Sequence, residues 1–429
     1  MAEPAAGLGA WRRALEEEGR AVYPGRIADA VAHPERYTDP DRFPRLAALV
    51  SGAVLVRGDL APETTRELLG LAFDVVLTVG TSSRFREHED FGRGVLALID
   101  AVEEAGAPVS GLLLSAARFH ALFANGDRFR RDLIVRAVAV SRDSDERVAA
   151  LLTMSRSRTD VSDYEGARAA LDECAGLMET PGGARWVAEY EHSLGLTYYY
   201  ADPPRAAHHF ERSVALGRDR AAADAAVRHA VASSLHFLGR HAAERGEHGR
   251  ALRLYTEGEA LSDGRLTAQG FFHQRVAEIL VAHGTTREAR YHLTRSQQTF
   301  EQAAQRSSAL ALLGGTWAEF YLRTGDGGRA LRVVSDAVEL SRREEGGARI
   351  ELVLQAKRLR VLIRLRRPAA AAALLCRAAR LYLRTEVERR PLPALRQTLV
   401  VARQAVRMLR PSSGTAAARP LDCPCGAAH

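Results

Sequence analysis

Between about residues 145 and 410 the apolar positions recur with a helical period, and a short phrase returns at near-regular intervals. The phrase is a turn with Gly or Asp, then Ala, then a large residue four places on, then a small one after three more. It reads Asp163-Tyr-Glu-Gly-Ala167 with Leu171 and Cys174, and it recurs at Ala206 with Phe210 and Ser213 and at Ala251 with Tyr255 and Gly258. Three more copies stand at Ala289 with Leu293 and Ser296, Ala330 with Val334 and Ala337, and Ala371 with Leu375 and Ala378. The alanines are separated by 39, 45, 38, 41 and 41 residues.

A second phrase precedes most of these alanines: a small residue with a large apolar neighbour before it and, in most copies, another large residue three places after. Leu194-Gly195 with Tyr198, Leu238-Gly239, Val276-Ala277 with Leu280 and Trp317-Ala318 with Tyr321 are the clearest copies, and Met154-Ser155 is the most degenerate. Each pair of phrases describes a helical hairpin. The small residue lets the first helix approach the second, the alanine lets the second helix start without collision, and larger residues on the same faces fill the gap. One hairpin cannot bury its apolar face alone, so successive copies stack.

The joint recurrence resembles the tetratricopeptide repeat (TPR) family over about 265 of the 429 residues. The period, near 40 rather than the family's 34, points to longer helices or looser connections, as in helical repeat domains of bacterial signal-transduction regulators. The resemblance implies an all-α fold, a right-handed α-solenoid of TPR-like helical hairpins with a helical N-terminal cap region. It also implies that the first helix of each repeat lines a concave face. Counted from the small residues, the inward positions include Arg156, His192, Tyr199, His236, Arg240, Gln274, Glu278 and Glu319. Such a set suits a peptide or an extended protein segment, with charged groups on backbone or termini and aromatics supplying contact area. Read structurally, the same residues are a solvated polar face.

Residues 1–144 predict further helices, near 8–22, 42–56, 62–79, 91–105, 108–124 and 128–141, as degenerate repeats or a cap; a separate effector domain is the alternative. Pro62-Glu63 marks a helix start. After the turn Asn125-Gly126-Asp127, the chain echoes a second repeat helix with Arg131 at the alanine position. No turn and recognition-helix pair with the spacing of a DNA reader is found. Within the 145–410 solenoid of about six repeats, Pro391–Arg410 predicts a closing helix. Residues 411–429 read as a disordered tail ending Cys423-Pro424-Cys425-Gly426-Ala427-Ala428-His429. Cys423, Cys425 and His429 could hold zinc or copper(I) if a partner or a second copy of the chain, as in a homodimer, completed the site. The Cys-Pro-Cys-Gly opening resembles the zinc-binding tail of the bacterial translocation motor, without its later ligand pair. A modification substrate and an unstructured end are the other readings.

Charge sharpens the picture more than composition does. Residues 349–410 carry 15 Arg and one Lys against three Glu, a net of +13, which leaves −6 for the rest of a chain whose total is +7. This reads first as a set of solvated helix faces with biased codon usage, and the functional alternative is an acidic partner surface or nucleic acid attracted to the C-terminal end. Lys357 is the sole lysine, and with so much Ala and Arg the composition fits a high-GC bacterium such as an actinomycete. Arginine abundance is then weak support for nucleic acid, which is not the expected partner. Cys174 and Cys376 sit alone in helical patterns as small buried hydrophobes. With no signal segment, no membrane-length apolar run and no disulfide framework, a cytoplasmic protein is expected. No phosphate loop, His-Glu-x-x-His or Gly-x-Ser-x-Gly is present, and no cofactor is expected. The preferred expectation is a non-enzymatic adaptor or regulator that binds protein or peptide. The alternative is an accessory protein of a peptide-modification or metal-handling pathway, working through its tail.

Overall fold

A computed structural model describes residues 23–33, 48–50, 53–54, 60–79, 88–123, 127–161, 163–262, 265–302, 307–342 and 348–382. Among these residues every regular element is helical. The expected closing helix, the 8–22 segment and the Cys423/Cys425/His429 tail lie outside them. By packing the chain divides into Met1–Ser234 and Leu235–His429.

In the first unit, α1 (Tyr23–Ala32), α2 (Pro62–Val79), α3 (His88–Glu104), α4 (Ser110–Phe123) and α5 (Asp127–Val140) precede the repeats. The Pro62 start is as expected. Helix α1 falls between the expected segments 8–22 and 42–56, and its Pro24 stands in the first turn, where the missing N–H costs nothing. Arg131 does not take the place of a repeat alanine. It is exposed, and Leu133, Ile134 and Ala137 carry the buried face. The core of this region runs on into the first repeat by taking in Ala150. Two hairpins follow, α6 (Ser144–Asp160) with α7 (Tyr164–Ala175) and α8 (Val187–Tyr198) with α9 (Pro203–Gly217).

Helix α10 (Ala225–Glu244) contains the division and leads to α11 (His248–Ala260). The second unit continues with the hairpins α12 (Leu266–His283) with α13 (Thr286–Gln302), α14 (Ser307–Arg323) with α15 (Gly327–Arg342), and α16 (Ala348–Arg364) with α17 (Pro368–Tyr382).

The two phrases meet in space where the small residue of the first helix is glycine. A Cβ on Gly195 would fall 2.5 Å from the Phe210 ring, and one on Gly239 would overlap the Tyr255 ring. The first five repeat alanines are buried to 1% exposure or less. Each stands four residues after the helix N-cap, its N–H bonded to the cap carbonyl at 2.9–3.1 Å. The Asp side chains at the turns are the caps themselves: Asp163 accepts from Gly166 N, Asp202 from Arg205 N and Asp326 from Arg329 N. In the sixth copy Leu374 is buried at 1%, whereas Leu375, the residue expected inside, is 52% exposed. Cys376 is likewise exposed, against expectation, while Cys174 is buried and its thiol is pushed up to about 12 by that burial.

The turns repeat as closely as the helices. Three first helices end in a left-handed residue whose successor bonds back across six residues: Glu247 N to Ala242 O at 2.9 Å, Asp326 N to Tyr321 O at 2.9 Å, and Arg367 N to Leu362 O at 3.0 Å. Gly246 and Gly325 hold the left-handed position at φ 79° and 85°, but the last turn puts Arg366 there at φ 54°. An L-residue in this conformation is strained by about 1–2 kcal/mol, part of which glycine loses again to unfolded-state entropy. Arg366→Gly is therefore expected to stabilise the second unit by about 1 kcal/mol, read as a higher denaturant midpoint at unchanged slope. A lower midpoint would show that the Arg366 side chain contributes more than its backbone costs.

Candidate functional site

The second unit carries a cleft of about 950 Å³ walled by the first helices of successive hairpins. Each helix presents one face. From α12 come Gln274, Glu278 and Val281, from α14 Leu312, Thr316, Glu319 and Arg323, and from α16 Val353, Lys357, Arg360 and Arg364. The spacing i, i+4, i+7, i+11 keeps each set on a single stripe. Helix α10 adds Arg240 and Glu244 at one end.

The polar groups are largely held in place before anything binds. Arg275 Nη1 lies 2.6 Å from Glu278 Oε2, and Thr316 donates to Glu278 Oε1 at 3.3 Å. Burial pushes the Glu278 carboxyl up, but Arg275, Lys357 and Arg240 together bring it below the ordinary value, so it is ionised at neutral pH. Arg360 pairs with Glu319 at 3.2 Å. Arg323 donates to the carbonyls of Leu280, Val281 and Gly284, each at 2.7 Å, and so caps the C-terminal end of α12 with a cation. Gln274 is 1% exposed, and its Oε1 has no donor. Apolar surface from Leu312, Leu322, Val353 and Leu365 lies between these groups.

Of the eight inward positions expected from the sequence, Arg240, Gln274, Glu278 and Glu319 line this one cleft. The other four are placed differently. His236 packs its ring against Tyr255 and Phe272, with centroids 6.0 and 5.7 Å away, and is not part of the cleft wall. In the first unit Arg156 pairs with the buried Glu189 at 2.6 Å. His192 is 5% exposed and shares a hydrogen bond with Ser234 Oγ at 2.9 Å, and Tyr199 is 9% exposed against Phe210. Both side chains are interior because the hairpin closes over them, so neither offers a surface to a partner.

The α16 stripe, Lys357, Arg360 and Arg364, escapes sequence reading. The small-residue phrase that marks the inward face of α14 at Ala318 is replaced by Leu359 one repeat of 41 residues later. The basic composition of 349–410 and the uniqueness of Lys357 are the signals that could have found it. Among the described residues no group of three or more His, Cys, Asp or Glu side chains gathers as metal ligands, and no helix is long and apolar enough to cross a membrane.

A likeness to solved structures gives this architecture a setting. Rap protein complexed with competence and sporulation factor superposes with a TM-score of 0.55 at 11% identity, covering 91% of this chain and 99% of that one. The fold is that of a tetratricopeptide-like helical repeat protein. Two further solved structures are a signal-transduction ATPase with a tetratricopeptide repeat sensor from Pyrococcus horikoshii and the APC/C hetero-tetramer Cut9-Hcn1. The first scores 0.48 at 13% identity, with 82% of this chain and 55% of that one covered. The second scores 0.43 at 15% identity, with 87% and 76% covered. Both scores are too low to bear on the fold. No protein-family model and no curated protein sequence matches the chain.

Proposed function

We propose that this tetratricopeptide-like protein is a non-enzymatic adaptor or regulator that binds a peptide or an extended protein segment in the cleft of its second unit. The observation that carries the reading is the convergence of one face from each of α10, α12, α14 and α16 on a single concavity. Its volume lies in the range of ligand sites. Its ion pairs are formed in advance, which lowers the ordering cost of binding. The mixture of fixed charges with apolar side chains suits a chain that offers backbone groups and side chains in alternation. The likeness to Rap protein, crystallised with competence and sporulation factor, supports a scaffold of this kind holding a ligand.

The test is selection of peptides from a random-sequence display library on the wild-type protein, followed by measurement of their affinity for an Arg240→Ala, Glu278→Ala variant. Loss of about tenfold or more is expected, since each substitution removes a fixed polar contact, with the helical circular-dichroism signal retained. Peptides that bind the folded variant as tightly as wild type would place the binding surface elsewhere. Deleting residues 411–429 is expected to leave the affinity unchanged. A loss there would favour the accessory role for the Cys423-Pro424-Cys425 tail instead.

A further inference from the structure

We infer that the occupant of the cleft is acidic: an extended peptide segment carrying two side-chain carboxylates that meet Lys357 and Arg364. The inference rests on the peptide-binding reading of the cleft and narrows it to a ligand class. Six of the lining residues are basic and three acidic. Two of those carboxylates are already engaged, Glu278 by Arg275 and Glu319 by Arg360, and Arg323 is committed to the carbonyls at the end of α12. Arg240 lies over the Phe237 ring, 5.9 Å from its centroid, which leaves Lys357 and Arg364. Among the described residues neither has an ion-pair or hydrogen-bond partner.

Lys357 is half-buried. Glu278, whose ionisation the Lys357 charge supports, is already paired with Arg275, and a ligand carboxylate arriving beside a partly desolvated ammonium gains more than it would in open water. The two cations stand seven residues apart on α16, a rise of about 10.5 Å along the helix. That is too far for one carboxylate to bridge, and it matches about three residues of extended chain in the polyproline II conformation, whose threefold turn returns side chains three apart to the same face. The complementary ligand therefore carries acidic residues three positions apart and lies along α16. The described part of this stretch, residues 349–382, carries eight Arg and one Lys against one Glu and acts in the same direction at longer range, raising the rate of encounter with an anionic segment.

The probe is a fluorescent pool of short random peptides, capped at both termini so that only side chains carry charge, with Glu fixed at two positions three apart. A matched pool has Gln at those positions and another has Lys. Wild-type protein is expected to bind the Glu pool about tenfold tighter than the Gln pool, with the advantage shrinking as salt rises. Lys357→Gln with Arg364→Gln should bring the two pools together, while Lys357→Arg keeps the preference. Arg364 is exposed, so Arg364→Gln alone serves as the readout if the double variant fails to fold, and it should lower the preference. Equal binding of the Glu and Gln pools would overturn the acidic assignment and leave the peptide reading intact, and so would a preference for Lys. A folded variant that keeps the full preference would overturn it as well. A single-stranded oligonucleotide that binds more tightly than the Glu pool would overturn it in favour of phosphate. If no pool binds wild type, both readings fall together.

Discussion

Phe210→Ala is expected to destabilise the Met1–Ser234 unit by about 3–5 kcal/mol, the usual range for deleting a fully buried aromatic ring. Phe210 is 1% exposed and lies against Gly195, with the rings of His192 and Tyr199 at 5.6 and 6.4 Å. The converse substitution, Gly195→Val, forces side-chain volume into the Phe210 ring and should cost about 1–3 kcal/mol. Together the two changes should cost clearly less than their sum, because the valine fills part of the space the ring leaves, with a coupling on the order of 1 kcal/mol. Equilibrium unfolding of the four species in urea measures it. Strict additivity would mean that the small residue of one helix and the large residue of the next are not the interlocking pair that defines the hairpin.

Acid should weaken both units through one buried histidine in each. Burial, with His229 and Arg156 nearby, lowers the His192 ring from 6.5 to about 3. Burial, with Arg295, lowers His273 to about 4. Both rings are neutral in the folded chain at pH 7 and bind protons only after unfolding. Their stabilising effect is therefore complete above the unfolded value and is lost as pH falls below it, until the folded rings themselves titrate. From pH 7 to pH 5 each should remove about 2 kcal/mol. His192→Asn and His273→Gln should flatten the fall by that amount in their own units, as read from denaturant midpoints at the two pH values. A slope unchanged by the substitutions would show that the rings are charged in the folded protein. The first unit is the cleaner of the two, because Glu259 faces His273 at 3.2 Å and has its pKa raised by burial. A raised carboxyl takes up its proton more readily in the folded state than in the unfolded one, so it works in the opposite direction as pH falls.

The sequence was legible where one position had one job. The repeat alanines, Gly195, Gly239 and the capping aspartates each answer a single steric or hydrogen-bonding demand, so their identities recur and can be aligned by eye. The hydroxyls were harder to read. Ser213 and Ser296 look merely small, yet each donates across its hairpin, to Ala188 O at 2.7 Å and Gly270 O at 2.8 Å. Size and hydrogen bonding are satisfied by the same residue, and the pattern records only size.

The cleft was half legible for a related reason. An inward polar residue and a buried one follow the same helical spacing, so Glu278, which is half-buried, and His192, which is buried, could not be told apart without knowing how far each hairpin closes. Helix α16 lost its marker when Leu359 took the small-residue position, although its charges were conspicuous. The swap between Leu374 and Leu375 is finer still. Both are apolar neighbours in α17, and only the rotation of that helix decides which one faces inward.

The chain owns a single ε-amine, and that amine stands on the wall of the cleft. Amine-directed acylation, which in most proteins scatters over the surface, has Lys357 as its one side-chain target here. A fluorophore or an isotope-coded acyl group attached at Lys357 becomes a reporter of the cleft without any engineered cysteine. The rate at which it attaches, slowed by whatever occupies the site, counts occupancy before the occupant has been identified.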